Sequence, residues 1–211
     1  MTFASWAFVV FFVFVFLLYW SVRNVRVQNV VLLIASYYFY AYWDWRFLFL
    51  VGFSTVVDFW LSRRIGSAVS ISERKLCLWA SLAVNLSVLA FFKYYNFFVV
   101  SAESLLQEMG FQVNDHTLHV ILPVGISFYT FQTIGYTVDV YRGKLAPASS
   151  LVDFAVFVSF FPQLVAGPIE RAEELLPQFF RRRVLTPTRL NDGVFLIVWG
   201  YYKKVVVADG L

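Results

Sequence analysis

Cysteine is nearly absent. Cys77 stands alone among 211 residues, which excludes an intrachain disulfide and makes a buried structural thiol the expectation. Histidine is scarce as well, with two residues, His116 and His119. Beside Asp115 they could turn two ring nitrogens to one helical face, but zinc takes three or four protein ligands, so a solvated loop is expected, with no metal site and no bound cofactor. Charged residues make up 14% of the chain, against about 25% in a soluble domain. There is no serine nucleophile elbow, no phosphate-binding glycine loop and no catalytic cysteine pair. The formal net charge of +4 would suit a nucleic acid, but Lys and Arg fall in short links between apolar runs, where they set membrane orientation. No nucleic-acid partner is expected.

What remains is apolar: 60% hydrophobic and 21% aromatic, with 25 phenylalanines. This predicts an all-α, polytopic transmembrane protein in which aromatic rings face lipid or settle at headgroup level. Apolar runs near residues 3–22, 28–43, 47–62, 76–92 and 120–138 predict spans, since about 20 residues at 1.5 Å each cross a hydrocarbon core of roughly 30 Å. The first reads as a retained span, because MTFASWAF lacks a basic start and SVRNVR lacks a small-residue cleavage site. Trp43-Asp44-Trp45-Arg46 suits an interfacial turn. Asp58, one turn from the end of its run, is expected to reach Arg63 or water. Residues 99–119 read as an external loop with a short surface helix, Ser101–Met109, ended by Gly110.

The stretch 120–180 departs from plain apolarity. Ser127, Tyr129, Thr130, Gln132, Thr133, Tyr136 and Thr137 interrupt the 120–138 run and should face protein or water, because an unpartnered polar group in lipid is costly. The following run, uncharged from 154 to 169, contains Pro162, Gly167 and Pro168, so its helix must break near Gly167-Pro168. With the N-terminus outside, all basic residues except Arg46, Lys93, Lys203 and Lys204 fall on the cytoplasmic side, provided that residues 154–167 enter and return. Pro162, Gly167 and Pro168 mark the re-entrant turn. Residues 168–183 then predict an amphipathic surface helix begun by Pro168, with Ile169, Ala172, Leu176 and Phe179 on its apolar face. Its end, Arg181–Arg183, suits membrane-lipid headgroups, favoured as the default for juxtamembrane arginines, or a donor's phosphates. Asp139 and Arg142, three apart, can pair at the membrane edge. Gly193–Tyr202 is too short to span and Lys203-Lys204 interrupts it.

LPVGISFYTFQTIGYTVDVYRG followed by FVSFFPQLVAGPIERAEELLPQF resembles the membrane-bound O-acyltransferase family, in its bacterial polysaccharide-modifying branch. ASYYFYAYWDWRFLFLVGFSTVVDF, FFKYYNFF and GYYKKVVVADGL are weaker echoes. The resemblance covers most of residues 1–211, as the N-terminal portion of a single transmembrane domain in a bacterial inner membrane. It implies an O-acyltransferase that moves acyl, in the first instance acetyl, groups across that membrane to O-acetylate an exopolysaccharide such as alginate. The implied donor is acetyl-coenzyme A and the implied partner a periplasmic acetyltransferase or other polysaccharide-modification protein. The family's catalytic histidine lies in the second half of a longer chain, so the resemblance implies no catalytic residue here and no activity for these residues alone. It draws Gln132, Tyr136, Asp139, Arg142, Gln163 and Arg171 together as candidates for a substrate tunnel or donor entrance. A transporter or channel, which also uses broken helices, and a noncatalytic membrane scaffold are the alternatives.

Overall fold

The computed structural model describes residues 3, 5–109, 120–164, 167–168 and 170–208. No strand occurs among the described residues. Two continuous helical runs, Val25–Ser67 and Ile71–Glu108, are long and apolar enough to cross a membrane.

Helix α1 (Trp6–Ser21) starts at Ser5, whose hydroxyl accepts the Phe8 N–H. Helix α2 (Val25–Asp44) is capped in the same way by Asn24. At Asp44 the backbone becomes extended and a 3-10 turn, Trp45–Phe47, follows. Asp44 accepts the Arg46 amide and pairs with its guanidinium at 2.6 Å. The turn sends α3 (Leu48–Ser67) back beside α2. Each helix has 20 residues, about 30 Å at 1.5 Å per residue.

Helix α4 (Ile71–Glu108) runs unbroken for 38 residues, so the surface helix expected at Ser101–Met109 is instead its far end. Nothing from Val99 to Glu108 breaks a helix, and isolated glutamates cost little in one. The chain returns at Val120, whose N–H and C=O both pair with the Asn96 side chain, at 2.9 and 2.7 Å. Helix α5 (Ile126–Tyr141) begins later than the 120–138 run suggested. Pro123 and Gly125 delay it. Gly125 has φ 76°, and a Cβ there would lie 2.6 Å from the Leu164 carbonyl oxygen, so glycine alone fits. The other end of α5 is held by Arg74, whose Nη2 donates to the Tyr141 carbonyl at 2.6 Å.

Tyr129, Thr130, Gln132, Thr133, Tyr136 and Thr137 are all buried, so these polar groups do face protein. They meet α3 and α4 across a polar seam. Asp58 is 0% exposed and does not reach Arg63: its carboxyl accepts Ser81 Oγ at 2.6 Å and Asn85 Nδ2 at 2.9 and 2.8 Å. Ser54 Oγ donates to Asn85 Oδ1 at 2.7 Å, with Thr133 Oγ1 at 3.4 Å from the same atom. The correction has a geometric cause. Asp58 sits one turn before Ser62, which is itself buried against Tyr136 at 3.1 Å, so this side of α3 faces the bundle. The Asp139–Arg142 pair is likewise not formed. The ion pairs among the described residues are Arg46–Asp44 and Arg64–Glu73, and Arg142 is exposed.

Helix α9 (Pro187–Tyr202) continues as π-helix through Lys203–Ala208, so Lys203-Lys204 does not interrupt it. None of its described residues is buried. A bond from the Tyr201 hydroxyl to the Phe3 carbonyl ties it to the N-terminus.

The seam predicts a coupled pair. Removing either Asp58 or Asn85 leaves the other with buried valences unmet, whereas removing both deletes the bonds they share only once. In a double cycle of Asp58→Ala and Asn85→Ala, measured by unfolding in detergent, the double loss should fall short of the sum by about 1–2 kcal/mol. Additive losses would show that the two side chains do not act as a unit.

Candidate functional site

The segment after α5 is organised by one side chain of α2. Helix α6 (Leu151–Ser159) is capped by Ser150. Every residue from Phe154 to Ser159 is buried, as expected of a run that is apolar on all faces. It ends at Phe160, where ψ is 107°, earlier than the Gly167-Pro168 break expected from sequence. The freed Phe161 N–H donates to Ser36 Oγ of α2 at 3.2 Å. Pro162 then lies in the first turn of a four-residue helix, α7 (Phe161–Leu164), where its missing donor costs nothing. A second bend follows. Gly167 N–H reaches the Gln163 carbonyl at 3.0 Å and Gln163 Nε2 reaches the Pro168 carbonyl at 3.1 Å. A Cβ on Gly167 would lie 2.9 Å from Gln163 Cα, so the bend needs glycine.

Helix α8 (Ala172–Phe180) starts four residues later than Pro168, with Arg171 as its N-cap residue and Glu173 and Glu174 in its first turn. Ile169 lies outside the described residues. Ala172, Leu176 and Phe179 are buried in the same core as α3, α5 and α6. The amphipathic face therefore packs on protein, not on a membrane surface as its pattern suggested. The spacing of an apolar stripe does not say which apolar partner it meets.

Both ends of this excursion close on Asn29, which is 1% exposed. Its Nδ2 donates to Asp153 Oδ1 at 2.6 Å, just inside α6, and to the Phe179 carbonyl at 2.8 Å, at the end of α8. Its Oδ1 accepts Arg183 Nη2 at 2.9 Å. Asn29 lies near the start of α2 and Ser36 about two turns further in, so the chain goes from one end of α2 to its middle and back.

The polar residues around the broken segment divide into satisfied and unsatisfied groups. Gln132 Nε2 ties α5 to the Phe157 carbonyl at 2.9 Å. The Tyr136 hydroxyl accepts the Ala148 amide at 2.8 Å and meets Ser62. These two are structural ties in this arrangement. Gln163 Oε1 and the Tyr129 hydroxyl, in contrast, are buried with no hydrogen-bond partner. They belong to one neighbourhood: Gly125, one turn before Tyr129, abuts Leu164, which follows Gln163. Tyr40 seals its edge by donating to the Val124 carbonyl at 2.9 Å. Among the six candidates, Arg142 and Arg171 are exposed and Asp139 half-buried, and no bond joins them to Gln132 or Gln163. His116 and His119 lie outside the described residues.

Sequence reasoning passed over Asn29 and Ser36 inside a run read simply as a span. Their signal was present, as amide and hydroxyl side chains in an otherwise apolar helix. The last residue of the Arg181–Arg183 run is anchored on protein. Arg183 folds back, donating to the Gln178 carbonyl and to the Tyr19 hydroxyl, with its guanidinium over the rings of Tyr19 and Phe179.

No protein-family model matches the chain, and no solved structure does. Curated proteins do. The chain is 42% identical over 213 residues to the probable alginate O-acetylase AlgI of Pseudomonas aeruginosa, covering all of this chain and 40% of that protein. It is 41% identical over 212 residues to the protein of the same name in Azotobacter vinelandii, with 42% of that protein covered. Likeness to the peptidoglycan O-acetyltransferase of Helicobacter pylori is 34% over 220 residues, covering 92% of this chain and 41% of the other. The chain spans about two fifths of the length of the curated relatives it matches. Along its whole length, then, this chain is homologous to the N-terminal portion of O-acetylases of the membrane-bound O-acyltransferase type.

Proposed function

We propose that the protein is a membrane O-acetyltransferase acting on a cell-surface polysaccharide, and that the present residues build its donor-side framework. The observation that carries this reading is likeness over the whole chain to a protein named as an O-acetylase of alginate, and over 92% of it to one named as an O-acetyltransferase of peptidoglycan. The shared element is acetyl transfer to a sugar hydroxyl, while the acceptor differs. Acetyl-coenzyme A is the proposed donor, the bacterial inner membrane the proposed location and a periplasmic acetyltransferase the proposed partner.

The contribution of these residues is positioning. Acyl transfer needs a group that takes the acceptor's proton within hydrogen-bond reach. Asp58 does not serve, because its carboxyl is already occupied by Ser81 and Asn85. The broken segment fits the positioning role better. Irregular backbone at membrane depth is tolerated where it is buried in protein or lines a cavity, and Gln163 Oε1 and the Tyr129 hydroxyl are free to bond a polar ligand there. Gln132 and Tyr136 hold the wall behind them; the exposed Arg142 and Arg171 and the half-buried Asp139 stay proposed as entrance residues.

Tyr129→Phe separates this role from a structural one. An unpaired buried hydroxyl costs about 1–3 kcal/mol, so deleting it should leave unfolding in detergent unchanged or raise the midpoint. Transfer of labelled acetyl from acetyl-coenzyme A to polysaccharide by the full-length protein should nevertheless fall, by about tenfold for loss of a hydrogen bond worth roughly 1.5 kcal/mol. Unchanged turnover would remove Tyr129 from the pathway.

The re-entrant reading and its orientation draw support from which segments share one end of the bundle. Asn29 binds Asp153 and Phe179, Arg183 reaches Tyr19, Arg74 binds Tyr141, and Gly66 abuts Pro147. These contacts gather the basic links at one end, which the positive-inside tendency assigns to the cytoplasm. Helix α6, nine residues or about 14 Å long, covers half of a roughly 30 Å core. In a Cys77→Ala background, Ser67→Cys and Arg182→Cys should resist an impermeant thiol reagent applied to intact cells and react after permeabilisation. Labelling of either from outside would reverse the orientation.

A further inference from the structure

Between α1, α2, the Phe160 break and α8 lies a crevice of about 270 Å³. Phe12, Val15, Phe16, Leu32, Phe160 and Leu175 line it, and Arg183 and Tyr19 stand at one end. The arginine is the unusual element. Its guanidinium is held by three neutral acceptors, the Tyr19 hydroxyl, Asn29 Oδ1 and the Gln178 carbonyl, and two aromatic faces. The carboxyl nearest in this chain of bonds, Asp153, is reached only through the Asn29 amide. Among the described residues Arg183 thus forms no ion pair, and its partners there leave two of its five N–H groups unclaimed. The exposed Arg181 and Arg182 precede it.

We propose that this crevice is a binding site for one acyl chain of an anionic phospholipid, whose phosphate completes the coordination of Arg183. The shape and charge select that occupant. Pockets for drug-sized ligands run from roughly 300 to 1,000 Å³, so this one is small for a nucleotide donor yet suits part of a flexible chain. The lining is hydrocarbon and aromatic except at the guanidinium end, which matches a molecule with one apolar tail and one anionic head. Arginine is suited to a phosphate because its planar fork can donate two parallel bonds. The bound lipid would bridge α1 to α8 beside the Asn29 clamp. The inference rests on the membrane reading above, and concerns a site separate from the Tyr129–Gln163 neighbourhood.

The test uses the full-length protein, recovered from the membrane fraction, which reports the membrane reading by itself. Purified protein is equilibrated with mixed micelles holding equal phosphatidylglycerol and phosphatidylcholine of identical chains, and retained lipid is counted by native mass spectrometry. Phosphatidylglycerol should be favoured about fivefold, the ratio given by roughly 1 kcal/mol per arginine at a headgroup. Arg183→Gln should abolish the preference by removing the cation, and Leu175→Trp should abolish it by filling the crevice while leaving the cation in place. Equal retention of the two lipids by the unmodified protein overturns the proposal with no variant needed. So does a preference that survives either substitution.

Discussion

A single buried amide sets the course of the second half of the described chain. Asn29 uses both its donors and an acceptor on groups between 124 and 154 residues away in sequence. Those groups are the start of α6, the end of α8 and the arginine beyond it. Each bond satisfies a buried polar atom that would otherwise cost roughly 1–3 kcal/mol. No apolar residue could replace it, because the segment it gathers contains a broken helix and needs a point where both its ends are fixed. Once the ends are fixed, the distance between them limits how deep the segment can go, and Ser36 meets it at the middle of α2.

The helices that surround this segment are joined by similar means. Lipid tails are as apolar as leucine, so burial of hydrocarbon alone gives little preference for helix–helix over helix–lipid contact in a bilayer. Packing and interhelical hydrogen bonds decide the arrangement instead. Ser54 and Asp58 on α3, Ser81 and Asn85 on α4, and Thr133 and Thr137 on α5 form three pairs, each four residues apart, and the bonds run between the pairs. Residues four apart share a helix face, so each helix presents one polar stripe and the three stripes face one another. The aromatic rings fill the space beside the seam, as Tyr136 does against Phe154 at a centroid distance of 4.5 Å.

Much of this architecture was legible in the residues, and the misses have physical causes. Apolar run length and Pro-Gly placement missed the continuity of α4 past residue 92 and of α9 through Lys203-Lys204 but found the other long helices, the Asp44–Arg46 turn and the interruption between residues 154 and 168. They misplaced its details because a helix ends where the backbone finds another acceptor: at Phe160, Ser36 receives the freed N–H from 125 positions earlier in the chain. Asp58 was misread because sequence distance to Arg63 is visible and spatial distance to Asn85 is not. The α8 stripe was read correctly as amphipathic but given the wrong apolar partner. For the Tyr129–Gln163 neighbourhood, Gln163 stood out as one of six tunnel or entrance candidates, whereas Tyr129 stood out only as one polar residue among seven. What separates them from Gln132 and Tyr136 is the absence of a partner, a property of the folded arrangement alone.

That difference between met and unmet hydrogen bonds is the most informative feature of the interior. A buried group that is fully bonded, like Asp58, gains nothing from a visiting ligand and would have to give up existing bonds to receive one. A buried group with no partner lowers the stability of the empty state and recovers the loss when a ligand arrives, so its unmet valence becomes binding energy. Tyr129 and Gln163 have this second character, and they flank backbone that has left the helical ladder. Gln163 presents an acceptor, while the tyrosine hydroxyl can donate or accept. Together they match a ligand group with an N–H or O–H beside a second polar atom, such as an amide or an alcohol, and offer nothing to a purely apolar chain. The Arg183 crevice has the opposite character, apolar along its walls and cationic at one end. The two proposed sites would therefore sort ligands by chemistry: a polar, uncharged group would be favoured at the break, and an anionic amphiphile beside α1.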